Sequence, residues 1–216
     1  MRRRGLAFIC LFIASISAHG QRPSTSTEIV REMNLARQHP EVYAAYVEEM
    51  RAAFRGKVFY QAGKLPLQTR EGLRGVEEAI RFLQRVSPVT PLELSRGLSQ
   101  AAREHVIDQS GGGRGHRGSD RSNPAERMSR HGGWSGGWGE NICYGRSSAR
   151  EIVLALIIDD GLSSRKHRQN IFNPAFKLAG AAVGFHPRFR TVCSIEFAAG
   201  YSEKTPGEVN PLVARN

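Results

Sequence analysis

The sequence predicts an α+β fold in which helices come first and an antiparallel hairpin comes last. Several stretches before residue 160 carry apolar side chains at helical spacing, which indicates amphipathic or buried helices. The later stretch GAAVGFHPRFRTVCSIEFAAGY has two β-rich runs on either side of His186-Pro187-Arg188, a pattern typical of a hairpin. Helices followed by antiparallel strands favour an architecture in which the helices cover a sheet.

The N-terminus has the layout of a secretory signal. Arg2, Arg3 and Arg4 precede the apolar run LAFICLFIASI, and small residues ending in SAHG follow it. The run is shorter than the about 20 residues that cross a bilayer, although an uncleaved amphipathic or anchoring start is the alternative. We therefore expect a signal peptide at residues 1–20, a single domain at residues 21–216 without a transmembrane segment, and a secreted or periplasmic protein.

The chain is basic, with a formal net charge of +11, and its arginines are spread along the sequence. Such a surface favours anionic partners such as lipid headgroups or acidic glycans. Nucleic acid is not expected as a partner, because the sequence lacks a basic motif interleaved with aromatic residues. Once the signal is removed, only Cys143 and Cys193 remain, and an oxidising compartment would permit a disulfide between them without proving it.

The first half of the chain predicts three helices and one loop. Ile29 and Met33 fall on one helical face, and Pro40 suits the first turn of a helix, so two helices are predicted to meet at His39. Residues 55–69 are punctuated by Gly and Pro and are predicted to be a loop. The run EGLRGVEEAIRFLQRV places its apolar residues on one face and predicts a third helix that stops before Pro88.

The second half begins with a fourth helix, predicted from PLELSRGLSQAAREHVIDQS, on which His105 is expected to pack in the core. Residues 111–139 are rich in Gly, Arg and Ser, and only NPAERMSR looks helical there. Because disordered linkers seldom contain tryptophan, Trp134 and Trp138 favour an ordered loop over a site. Ser148 could cap a helix at residues 149–160, an apolar block that could instead form a buried strand.

Three short segments offer side chains that handle metals or protons: His116 in GHRG, Glu140 in GENI and His167 in RKHRQNIF. Imidazole and carboxylate donors together suit zinc or another divalent ion. Their spacing by itself does not separate a metal site from ordinary surface histidines. The string GWSGG matches the G-x-S-x-G nucleophile pattern, but a strand before it and a helix after it are not predicted, so a serine hydrolase is not expected.

Several motifs follow one another along the chain: MNLARQHP, PLELSRGLSQAAREHVID, GHRG, NPAERM, GENI, HRQNIFNPAFKLAGAAVGFH and FAAGY. In this order they resemble the bacterial branch of the CAP superfamily (SCP-like extracellular domains), which includes cysteine-rich secretory proteins, insect venom allergens and plant pathogenesis-related proteins. The resemblance covers about residues 28–201, with an apparent insertion at about 52–88. It implies a three-layer α-β-α sandwich with a mainly antiparallel central sheet.

The resemblance also implies an open cleft lined by two histidines and two acidic residues. His116, Glu140 and His167 match three of these positions. The fourth, usually a glutamate, is replaced by Asp159 or Asp160, of which we prefer Asp159. Because aspartate reaches less far than glutamate, we expect His116 and His167 to bind the metal while the carboxylates act through water.

The function implied by the resemblance is that of a secreted domain that binds a divalent metal or a small polar or lipid ligand; lipid or glycan is the expected class of partner. A fold alone does not supply a reaction. One alternative is a metal-assisted hydrolase, in which His116, His167 and Glu140 activate a water molecule. Another is an extracellular interaction module in which the four residues are purely structural. Asn141 and Asn170 are expected to cross-link loops around the site.

Overall fold

The architecture is a four-stranded sheet with helices on both faces, and the computed structural model describes residues 25–63 and 65–204. The predicted signal peptide, residues 1–20, lies outside the described residues. The helices are α1 (Thr25–Gln38), α2 (Pro40–Arg51), α3 (Leu73–Leu83), α4 (Arg96–Gln109), α5 (Pro124–His131), α6 (Ala149–Ile158) and α7 (Lys166–Ile171). The strands are β1 (Phe54–Arg55), β2 (Val58–Phe59), β3 (Leu67–Gln68), β4 (Glu93–Leu94), β5 (Gly132–Tyr144), β6 (Leu178–His186) and β7 (Arg190–Glu203). In the part of the chain that the structure describes, none of the helices combines the length and the apolar character needed to cross a bilayer.

The main sheet has the order β4–β6–β7–β5, in which β7 is antiparallel to both neighbours and β4 is parallel to β6. Side chains alternate between its faces. Ile195 and Phe197 of β7 belong to the larger core with α1, α2, α3 and α6. Ala198 packs on the opposite face with Leu98 of α4 and Met128 of α5. The predicted three-layer sandwich with a mainly antiparallel sheet is confirmed.

The predicted helices are confirmed, together with the local signals that start them. His39 separates α1 from α2, and Pro40 occupies the first turn of α2. The hydroxyls of Ser95 and Ser148 accept backbone N–H groups at the starts of α4 and α6. Asn123 and Glu126 form a reciprocal capping box at the start of α5. Each signal lies within a few residues of the helix it starts, which is why the sequence reveals it.

Two segments predicted as loops contain β-structure. Residues 55–69 contribute to a small antiparallel sheet of order β1–β2–β3, in which Phe59 pairs with Phe54 and with Leu67. The prediction of a loop at 111–139 is wrong from Gly132 onward, because β5 begins there and pairs with β7. Two-residue strands and a glycine-rich strand lack the alternation of apolar and polar residues that sequence analysis detects.

The two tryptophans lie on β5 instead of on a loop over a site. Trp134 and Trp138 are 36% and 38% exposed, and their rings meet edge to face with centroids 6.3 Å apart. The register with β7 shifts between Ser135 and Trp138, where Gly136 and Gly137 adopt φ values of 70° and 127°. The G-x-S-x-G match therefore lies inside a strand and lacks the strand-turn-helix geometry of a nucleophile elbow.

Three arginines are buried. Arg37, Arg127 and Arg168 are 0%, 1% and 1% exposed and are the largest of the fully buried side chains. The interpretation of the arginines as charge spread over the surface is therefore wrong for these three. The guanidinium of Arg168 donates to both oxygens of Glu78, at 2.8 and 2.5 Å, because a buried charge is stable only when it is paired.

Candidate functional site

The first half of the site is a histidine–glutamate pair between the α4–α5 loop and β5. His116 Nδ1 lies 2.5 Å from Glu140 Oε2, and the His116 side chain is 54% exposed whereas that of Glu140 is 1% exposed. The other oxygen, Glu140 Oε1, accepts from Arg127 Nη2 at 2.7 Å and from Ser194 Oγ at 3.1 Å. Burial alone would raise the pKa of Glu140, but the hydrogen bond with His116 and the charge of Arg127 outweigh it and lower that pKa. Glu140 is therefore a buried carboxylate that orients an exposed imidazole.

A second buried acid, Glu196 on β7, lies directly opposite Glu140 in the register. Glu196 is 0% exposed, and neither of its oxygens has a hydrogen-bond partner among the described residues. Glu196 Oε1 lies 3.9 Å from the cationic Arg127 Nη2. Burial, followed by the negative charge of Glu140, raises the pKa of Glu196 well above the ordinary glutamate value. One arginine therefore faces two carboxyl groups, and the charged form of Glu196 is disfavoured.

Sequence analysis missed Glu196 and Arg127. Glu196 sits in the apolar run VCSIEFAAG, and a charged residue at an inward position of such a strand is the signal that could have identified it. Arg127 follows a capping-box motif in a polar helix, and nothing local distinguishes it from the exposed arginines nearby.

His105 on α4 is buried, as predicted, but it belongs to this polar cluster. Its Nε2 lies 2.8 Å from the Gly115 carbonyl, 2.7 Å from Gln109 Nε2 and 3.8 Å from Glu140 Oε1. The Tyr144 hydroxyl donates to Gln109 Oε1 and accepts from the Gly115 N–H, which ties the chain just before His116 to the sheet. Burial lowers the pKa of His105, so this imidazole is neutral beside Glu140.

The second half of the site is a histidine–aspartate pair between α6 and α7. Asp159 ends α6 with a left-handed backbone, φ 55° and ψ 45°, and is 4% exposed. Its Oδ1 lies 2.7 Å from His167 Nδ1, and its Oδ2 accepts the His167 backbone N–H at 3.0 Å. Asp160 points elsewhere, because its two oxygens accept the backbone N–H groups of Arg70 and Glu71 ahead of α3. Of the two candidate aspartates, Asp159 is therefore the one in contact with His167.

Two asparagines connect the halves, as expected. Asn141 Nδ2 donates to the His167 carbonyl at 2.9 Å, and Asn170 Nδ2 donates to Asn141 Oδ1 at 2.8 Å. Asn141 follows Glu140 on β5, so its side chain projects to the opposite face of the sheet. β5 is an edge strand, and Asn141 connects it to the segment that carries His167.

The profile of the cysteine-rich secretory protein family, CAP, matches residues 32–197. This chain belongs to the CAP family. The match includes both histidine–acid pairs and the segment predicted as an insertion. No curated protein sequence matches this CAP chain at a significant level.

Three solved structures are similar to this CAP chain. An outer surface protein from Borrelia burgdorferi is 16% identical, with a TM-score of 0.43, over 54% of this chain and 80% of that one. An extracellular SCP-domain protein from Bacillus anthracis is 19% identical, with a TM-score of 0.42, over 57% of this chain and 38% of that one. A cysteine-rich secretory protein from Staphylococcus aureus is 15% identical, with a TM-score of 0.39, over 59% of this chain and 38% of that one. This chain thus spans well under half the length of the last two proteins.

In His116 and His167 a carboxylate holds one ring nitrogen, as is common for histidines that bind a metal ion. In residues 25–63 and 65–204, no group of three or more His, Cys, Asp or Glu side chains could hold a metal ion together. His116 and His167 each direct Nδ1 to a carboxylate, and their Nε2 atoms make no hydrogen bond to any described residue. An imidazole that binds metal through one nitrogen is commonly held by a carboxylate at the other. Two such imidazoles are fewer than the three protein ligands that an open zinc site usually has, so water would have to complete the coordination.

Cys143 and Cys193 lie directly opposite each other on β5 and β7, and both thiols are free in this structure. Directly opposite residues in antiparallel strands have Cα atoms about 4.5–5.5 Å apart, which is within the range that a disulfide spans. Burial raises the pKa of the Cys143 thiol to about 12, and burial also raises the pKa of Cys193. The folded thiols are therefore poor nucleophiles, although their backbone positions permit a bond.

Proposed function

We propose that this CAP chain is an exported binding protein that holds a divalent metal, most suitably zinc, through His116 and His167. The observation that supports the proposal is that Nδ1 of each histidine contacts a buried carboxylate, Glu140 or Asp159, at 2.5 and 2.7 Å. Those contacts orient the rings and leave Nε2 as the donor atom. Both rings reach solvent, with side-chain exposures of 54% and 23%, so an ion and its water ligands can enter.

The bound ion would provide a positive centre with exchangeable water positions, to which a small polar or anionic ligand could bind. In the resting protein, Glu140 and Asp159 keep each imidazole in the tautomer that binds metal. Glu140 is poorly placed to act as the general base of a hydrolase, because its side chain is 1% exposed and both oxygens are engaged. The arrangement therefore supports metal and ligand binding better than hydrolysis.

We expect isothermal titration with zinc to show about one site per chain at pH 7.5 that is lost in the double variant His116→Ala, His167→Ala. His39→Ala is the matched control, because the His39 side chain is exposed and its Nδ1 pairs with Glu41, at 3.4 Å. Zinc affinity of the unchanged protein should fall as pH decreases toward about 5, because protons compete for the imidazole nitrogens. Undiminished zinc binding in the double variant, or loss of binding in the control, would refute the assignment.

We also propose that export oxidises Cys143 and Cys193 to a disulfide, each thiol giving one proton and one electron to a disulfide-exchange partner. The N-terminal pattern of residues 1–20 and the pairing of the two cysteines across the sheet support this proposal. Closing a loop of this length stabilises a protein by about 4 kcal/mol in the chain-entropy description.

The disulfide is tested on protein recovered from the exported fraction. We expect its mass to be about 2 Da below that of the reduced mature chain, with both thiols blocked to alkylation under denaturing conditions. The double variant Cys143→Ala, Cys193→Ala should be less stable than the oxidised protein, whereas it should match the reduced protein closely. Two alkylatable thiols in the exported protein would contradict the proposal.

A further inference from the structure

The small sheet β1–β3 stands over α6 and encloses an apolar cavity of about 160 Å³. None of His116, Glu140, Asp159 and His167 is among the residues that line the cavity. Its apolar lining comes from the small sheet and from one face of α6: Phe54, Phe59, Leu67, Leu154, Ala155 and Ile158. Protein interiors are close-packed, and an apolar space of this size that is open to solvent is a binding site by default.

The polar groups around the cavity are engaged, with one exception. Asp160 accepts two backbone N–H groups, and Glu151 accepts from Gln61 Nε2 at 3.0 Å. Arg146 donates only to the adjacent Gly145 carbonyl, and no carboxylate in residues 25–63 or 65–204 lies within ion-pair distance of it. The cavity therefore combines apolar walls with two carboxylates, Glu151 and Asp160, and with Arg146, whose guanidinium has no ion-pair partner in the described part of the chain.

We propose that this cavity binds a small monocarboxylate with an apolar body, its carboxylate paired with Arg146. An arginine guanidinium matches a carboxylate geometrically and forms strong charge-assisted hydrogen bonds with it. The apolar body contacts Phe54, Phe59 and Leu154, where Phe54 and Phe59 already pack with ring centroids 5.0 Å apart.

The volume sets the size of the ligand. A protein cavity of about 150 Å³ lined by aliphatic and aromatic residues holds one benzene molecule. The 160 Å³ here accordingly accommodates a single aromatic ring or a short aliphatic chain. A long acyl chain would project beyond the small sheet into solvent.

The test compares benzoate with benzamide, which has the same shape but no charge, by titration calorimetry of the full mature chain. EDTA is present, so that carboxylate binding at a metal on the histidines cannot contribute. We expect benzoate to bind with a dissociation constant of about 1 mM, and about tenfold more tightly than benzamide, because only benzoate pairs with the arginine. Amide resonances of Arg146, α6 and residues 54–69 should shift during the titration.

Three variants locate the site. Arg146→Met should weaken benzoate about tenfold and leave benzamide unchanged. Ala155→Phe should fill the cavity and abolish binding of both compounds, whereas Arg103→Met, at an exposed position on α4, should change neither. Circular dichroism establishes that each variant folds; if Ala155→Phe does not, Leu67→Ser opens the apolar wall at a residue that is 37% exposed and should weaken both compounds.

Benzoate binding that is equal to benzamide binding, insensitive to these substitutions, or accompanied by resonance shifts confined to segments other than Arg146, α6 and residues 54–69 would overturn the proposal. Absence of saturable binding of either compound would also overturn the proposal. Because EDTA is present throughout, none of these outcomes bears on zinc binding by His116 and His167.

Discussion

Replacing Arg127 with methionine is expected to destabilise the fold by about 3–5 kcal/mol, which is a large part of the total stability of a typical domain. The guanidinium is 1% exposed and donates to Glu140 Oε1, the Ser122 carbonyl and the His116 carbonyl. Methionine keeps the apolar volume but leaves the charge of Glu140 buried without its arginine partner. Urea denaturation of the variant and the unchanged protein at pH 7.5 measures the difference.

The matched control is Glu196→Gln, at the other acid of the same cluster. Glutamine resembles a protonated glutamate, so this change should leave stability equal or higher at neutral pH. A loss of less than 1 kcal/mol in Arg127→Met would show that the arginine does not neutralise the cluster. A large loss in Glu196→Gln would show that Glu196 is ionised and paired instead.

The raised pKa of Glu196 predicts that the stability difference between Glu196→Gln and the unchanged protein depends on pH. The pKa of Glu196 is higher in the folded protein than the ordinary 4.5, because burial and Glu140 disfavour its charged form. The raised pKa of Glu196 stabilises the fold fully at pH values below its pKa in the unfolded chain. This stabilisation is lost as the pH rises toward the pKa of Glu196 in the folded protein. Glu196→Gln should therefore gain stability relative to the unchanged protein between about pH 4.5 and about pH 7.5. A constant difference over this interval would contradict the raised pKa.

Replacing Arg37 with methionine is the second change with a large expected effect, about 4 kcal/mol of destabilisation. Its guanidinium is fully buried and donates to the carbonyls of Thr90, Ile171, Asn173 and Phe176, which lie in two separate segments between α3 and β6. The variant would leave several buried carbonyl oxygens without donors, each with a penalty of about 1–3 kcal/mol, partly offset by the removal of a buried charge.

Thermal and urea denaturation measure the Arg37 effect, with Arg31→Met as the control, since Arg31 is on the same helix but exposed. The control should change stability by less than about 0.5 kcal/mol. Equal effects of the two substitutions would mean that helix α1, and not the carbonyl cluster, determines the loss. Because α7 ends at Ile171, amide exchange in α7 should also accelerate in Arg37→Met and not in Arg31→Met.

Sequence alone determined where the helices begin, where the hairpin turns and to which family the chain belongs. Capping residues and Pro40 act on backbone groups in the adjacent turn, so their effect is encoded within a few positions. The order of the CAP motifs is likewise a property of the linear chain. His116, Glu140 and His167 could be nominated for the same reason, because each lies in a motif.

The tertiary structure decided which side chains meet. Glu196 faces Glu140 only because β7 pairs with β5 in one particular register, and a shift by one residue would place Glu196 on the other face of the sheet. Arg37 and Arg127 are buried because distant segments close over them, which no local pattern records. β5 was missed since its hydrogen bonds are supplied by β7, a strand that is 71 residues away at the Gly132–Glu203 end of the pair, and not by its own glycine-rich sequence. The burial of these side chains and the neutralisation of their charges thus depend on contacts between distant segments, which the sequence does not display.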